Sequence, residues 1–149
     1  MSARALAIAL VVAATGCLDA LAPDVGPEQT ITCEAVDSDP AVDVHFQADL
    51  QDGVFAAADI DCARCHTGDE EGVRQSGLDM TSYATLRVGG GRSGAAIVVP
   101  GDPCSSILLQ KLGASPPFGA RMPREGPPFL TDAQLAQVSD WILEGARDN

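Results

Sequence analysis

The stretch Asp61-Cys62-Ala63-Arg64-Cys65-His66-Thr67 constrains this chain more than any other. Two thiols stand three positions apart, with an imidazole directly after the second. Three chemistries use such a set: covalent haem attachment, tetrahedral zinc, and a redox dithiol. Structural zinc needs two further ligands. The remaining candidates, His45, Cys33 and Cys104, form no second compact pair. A redox CxxC accompanies a βαβ pattern, and none is legible here. In haem attachment every residue has a use. Cys62 and Cys65 would form the thioether bonds, and His66 would fall beneath the iron as its proximal ligand.

The compartment follows from the start of the chain. Arg4 precedes the apolar run Ala5–Ala14, and Thr15, Gly16 and Cys17 follow. A positive start, a short apolar core and small residues describe an export signal. The run is about half of the roughly 20 residues that a spanning helix needs. The end, "ATGC", resembles the bacterial lipobox, which implies lipidation of Cys17 as the mature N-terminus. The competing reading is an ordinary signal cut near "LDALA". In the lipobox pattern an aspartate after the cysteine implies retention at the inner membrane. Leu18 stands there, so the resemblance implies the outer membrane, facing the periplasm or the surface. The expected division is a signal peptide at 1–16, a flexible acidic tether at 17–43 and a folded domain at 44–149.

Charge is unevenly spread. The chain carries 9 basic and 21 acidic residues, a net of −12. Fourteen acids and only Arg64 lie between Asp19 and Glu71, whereas Gly72 onward holds seven of each. That balance argues against nucleic acid and anionic membrane surfaces, which need basic patches. The membrane is then reached through the lipid alone. The acidity is either a solvated surface or a means of steering a partner with a basic docking surface.

Elements are read from periodicity and end signals. Phe46, Leu50 and Val54 make a stripe at i, i+4, i+8, a first helix weakened by Gly53. A polar loop, "TGDEEGVRQSG", follows His66. A short helix is expected within 78–88, and a flexible surface loop at "GGGRSG", residues 89–94. Asp102 and Pro103 predict a helix start, Gly113 its end, and Cys104, Leu108 and Leu112 its apolar face. Residues 114–129 hold too many prolines and glycines for regular structure. Thr131 and Gln134 form a capping-box pattern, and Leu135, Val138, Trp141 and Ile142 form the stripe of a last helix ended by Gly145. No strand pattern is convincing. The fold class is therefore all-α, several short helices joined by long loops. Such a chain is small and poor in aromatics, and a flat apolar cofactor would supply the missing core.

"VVPGDPCSSILLQKL" followed by "ARMPREGPPFLTDAQLAQVSDWILEGA" resembles the second half of exported class I c-type cytochrome domains. Together with the CxxCH motif, the resemblance spans about residues 44–147. It implies a small cytochrome c-like fold around one covalently bound haem c, with the first and last helices crossing. It also implies a membrane-tethered carrier that exchanges electrons with redox partner proteins, rather than a catalyst. Cys104 and the acidic loop after His66 depart from the family pattern.

The resemblance points to Met122 as the second axial ligand. The residues agree, because Pro123 restricts Met122 to extended backbone and so lowers the entropy lost on ligation. Met80 and His45 are the competing candidates. Met80 is explained more simply by packing, and His45 by exposure within the first helix. Two other functions stay open: a domain whose weak sixth ligand admits a small molecule or peroxide, and a haem-free, disulfide-stapled lipoprotein that acts as an interaction module. Cys33 and Cys104 are left over once Cys17, Cys62 and Cys65 have roles. Parity and an oxidising compartment argue for a bond between them. Against it, Cys104 reads as a helix-face residue and Cys33 lies in the tether.

Overall fold

A computed structural model describes residue 33 and residues 35–149 of the chain. Cys17 and the expected signal segment lie outside the described residues. Among the described residues there are five α-helices: α1 (Ala63–His66), α2 (Glu71–Ser76), α3 (Tyr83–Val88), α4 (Ile107–Leu112) and α5 (Asp132–Leu143). A π-helix, Phe46–Val54, precedes them, and a 3-10 turn, Gly94–Ile97, lies between α3 and α4. No strand occurs among the described residues, and the architecture is the small all-α one expected. No helix of the described residues is long and apolar enough to cross a membrane.

The centre of the molecule is aromatic. Phe46 buries its ring between Tyr83 of α3 and Trp141 of α5, each 5.3 Å away between centroids. Tyr83 meets Trp141 edge-on at 6.3 Å. Edge-on and tilted pairs are favoured by the ring quadrupoles, adding about 0.5–1.5 kcal/mol each beyond the area buried. Both polar tips are satisfied by the chain just after α5. The Tyr83 hydroxyl donates to the Ala146 carbonyl, and Trp141 Nε1 donates to the Arg147 carbonyl. Gly145, at φ 103°, makes the turn that brings those carbonyls back.

The first helix buries the expected Phe46, Leu50 and Val54 against α5, but it is a π-helix throughout. A four-residue spacing keeps side chains on one side of either ladder, so the stripe does not distinguish them. Its first N–H groups are capped from the far end of the chain. Phe46 N–H donates to Asn149 Oδ1 at 2.9 Å and Gln47 N–H to the Asn149 carbonyl at 3.2 Å.

Residues 35–44 lie along α5. The Ser38 amide and hydroxyl both donate to the carboxylate of Asp140, which is 5% exposed. The Val44 amide donates to Glu144 at 2.8 Å, and Arg147 pairs with Asp43 at 3.1 Å. Upstream, Cys33 and Cys104 are joined by a disulfide with their Cα atoms 5.5 Å apart.

Three local expectations are corrected. α4 starts at Ile107 with Ser106 at its N-cap, not at Pro103. The Asp102 carboxylate accepts the Ser105 amide in a preceding turn. The buried Ser106 hydroxyl accepts from the Val99 amide and donates to the Asp102 carbonyl, so Cys104 sits on that turn and not on a helix face. The polar segment after His66 contains α2. "GGGRSG" is a tight turn against α2. The Gly91 amide donates to the Ser76 carbonyl, and a Cβ on Gly90 would stand 2.6 Å from that same oxygen. Gly90 is required by close approach, not by flexibility.

Candidate functional site

Helix α1 is a single turn that presents Cys62, Cys65 and His66. The Cys62 amide donates to the Phe55 carbonyl at 2.9 Å, which ties the motif to the end of the π-helix. The Asp61 carboxylate accepts the Arg64 amide, and the His66 amide closes the turn onto the Cys62 carbonyl at 2.9 Å. α2 then packs directly on this turn. A Cβ on Gly72 would lie 2.5 Å from the Cys65 carbonyl oxygen, so only glycine fits there.

His66 is held at two points by the segment that follows α2. Its carbonyl accepts the Met80 amide at 2.6 Å. Its ring Nδ1 lies 3.1 Å from the Leu78 carbonyl oxygen. A carbonyl only accepts, so Nδ1 carries the hydrogen, which in the neutral ring leaves the lone pair on Nε2. The ring is thus fixed in the tautomer that can ligate a metal through Nε2.

Cys62 and Cys65 are both free and half-buried. Burial pushes the Cys62 thiol up to about 11; a backbone hydrogen bond lowers it in part, and the charges of Asp61 and Cys65 raise it further. It is therefore held as a thiol at neutral pH. No group of three or more metal-binding side chains occurs among the described residues. The donor set fits a haem: two unpaired thiols and one oriented imidazole, with Leu78 and Met122 half-buried against the core.

The methionines separate. Met80 is 5% exposed in the core, and its carbonyl accepts Gln51 Nε2 at 3.0 Å. Gln51 Oε1 is buried without a partner. Met122 is half-buried at the edge of the core, on a loop pinned at several points. Its amide donates to the Lys111 carbonyl at 2.8 Å, and Arg121 Nε donates to the Leu112 carbonyl at 2.9 Å. Lys111 Nζ reaches the Phe118 and Ala120 carbonyls. Burial, then the nearby Arg92, lowers the pKa of that ammonium. Arg64, between the two cysteines, meets Glu125 of the Met122 loop at 2.6 Å. His45 is exposed at the start of the π-helix, 3.7 Å from Asp49.

Sequence reasoning missed Gly72, the Leu78 carbonyl, and Asp140 as the anchor of residues 35–44. Gly72 had a weak signal, a lone glycine in a polar run. The Leu78 contact is made by backbone, and no side chain reports it.

In comparisons with known proteins, the family model described as Planctomycete cytochrome C matches residues 62–126. That span begins at the first cysteine of the motif and ends just past Glu125 on the Met122 loop. Comparisons with curated proteins and with solved structures gave no significant match. The family match supports a cytochrome c-like domain across the span that holds α1 and Met122.

Proposed function

We propose that this chain is an exported, lipid-anchored electron carrier holding one haem c, attached through Cys62 and Cys65, with His66 and Met122 as axial ligands. The observation that carries the reading is the 3.1 Å contact from His66 Nδ1 to the Leu78 carbonyl. It presets the imidazole for ligation beside two free thiols. The family match over residues 62–126 supports a haem-binding protein of electron-transfer type. When bound, haem c supplies one-electron chemistry, at a potential that a thioether ligand raises.

The chain's own residues have distinct parts. Cys62 and Cys65 fix the group in place. Leu78 and Met80 hold His66 by backbone contacts. Lys111 and Arg121 fix the backbone around Met122, so that little loop entropy is lost when its sulfur is held. Two filled axial positions leave no site for a substrate, which makes the domain a carrier for redox partner proteins. Cys17 would carry the acyl anchor, and the envelope, with the outer membrane favoured, would be its location.

Two variants test the ligand assignment. Met122→Ala should keep its covalent haem, lose the weak far-red band of iron–thioether ligation, drop in reduction potential and bind cyanide. Met80→Ala should keep band and potential while losing about 2–5 kcal/mol of stability as a buried core truncation. A Met122→Ala protein with unchanged band and potential would reject the assignment.

A further inference from the structure

The net charge of −12 predicts that this protein attracts cations and repels anions. The charges beside Met122 run the other way. Residues 114–129 contain one acid, Glu125, and it is neutralised by Arg64. Arg92 stands 4.4 Å from the centroid of the Phe118 ring, and Lys111 Nζ stands 5.1 Å from the same centroid. Arg121 lies 3.9 Å over Phe129, and Arg124 reaches Gln75 of α2. The next carboxylate in that network is Glu71, which accepts from Gln75. Arg92 and Lys111 thus hold two like charges on one ring. Lys111 spends two of its three donors on backbone carbonyls, and Arg92 is exposed.

We propose that the loop 114–129, which carries Arg124 and has Arg92 and Lys111 beside it, is the surface on which an acidic partner protein docks to exchange electrons. The proposal rests on the carrier reading above. A carboxylate set against Arg92 and Lys111 relieves their mutual repulsion. Arg guanidinium is suited to bidentate carboxylate contacts. The same loop carries Met122 and is joined to α1 through Glu125, so a partner seated there lies next to Met122 and reaches toward the cysteine turn. The excess of acid elsewhere in the chain disfavours other approaches and biases the partner's orientation.

The test uses the full chain reduced beforehand, with hexacyanoferrate(III) as an anionic probe. One electron leaves the reduced protein, and one hexacyanoferrate(III) becomes hexacyanoferrate(II). With a basic electron-exit surface the second-order rate constant falls as salt is added. We expect about tenfold or more between 0.01 M and 1 M ionic strength, where the screening length shrinks from about 30 to about 3 Å. Arg92→Glu and, independently, Arg124→Glu should each slow the reaction several-fold at low salt while melting as the parent does. Poly-L-glutamate should slow the parent and not the variants. A rate that rises with salt, as the net charge dictates, overturns the surface but leaves the carrier reading standing. Polyglutamate without effect rejects a protein partner at this loop. A chain with no haem overturns both readings.

Discussion

Gly72 of α2 sits against the Cys65 carbonyl so closely that a Cβ there would lie 2.5 Å from the oxygen. The contact is with backbone, which cannot swing aside. α2 carries no buried residue and has no apolar stripe to hold it. The absence of a side chain at Gly72 is what lets the helix pack on the cysteine turn.

Gly72→Ala should therefore push α2 away from α1. The expected cost is about 1–3 kcal/mol, as for other overpacked sites, read as a lower urea midpoint with an unchanged slope. An alanine variant of parental stability would show that α1 and α2 are not packed this way.

The Cys33–Cys104 bond closes a separation of 71 residues. In the loop-entropy account such a bond restricts the unfolded chain by about 4 kcal/mol. The double variant Cys33→Ser with Cys104→Ser should lose up to that amount in urea unfolding. It should keep the proposed haem, since neither residue belongs to the proposed attachment set. Peptide mapping without reduction should recover the two cysteines in one linked fragment, and alkylation of both in native protein would reject the bond.

Stability should depend on pH through opposed carboxyls. Burial raises the Glu144 pKa above its ordinary 4.5; the Val44 amide and Arg147 pull it down, and Asp43 and Asp37 push it up. The folded state then binds this proton more tightly than the unfolded one. Stability rises as pH falls from neutral toward 4.5. Asp79 and Asp102 behave oppositely: hydrogen bonds from Thr81 and Ser105 hold them below 3.8. Their contribution is lost as pH falls below that value. Thermal melts should peak in mild acid. Glu144→Gln should remove the rise on acidification and leave the low-pH loss. A variant with the parental profile would show that Glu144 is not its source.

Much of this was legible in the sequence, for reasons that differ by element. The last helix was readable because Thr131 and Gln134 cap each other and its stripe is continuous. Asp140 was not, since a carboxylate between Val138 and Trp141 reads as solvated until Ser38 is seen to cover it. The first helix was found by its four-residue spacing, but that spacing does not separate an α ladder from a π ladder. The start of α4 was misplaced because Asp102 and Pro103 carry the signals of a helix start, yet Ser106 takes the cap. α2 was invisible because it buries nothing. At the site, residue types and order revealed the two thiols and His66. The contact that orients His66 belongs to the backbone of Leu78, where sequence is silent.

The most direct measurement is the intact mass of the exported, denatured protein, before and after thiol alkylation. The account predicts a chain heavier by one haem, with Cys62 and Cys65 unreactive, and loss of that added mass in Cys62→Ser with Cys65→Ser. A chain of bare polypeptide mass, apart from the acyl anchor, with both thiols alkylated, would contradict it.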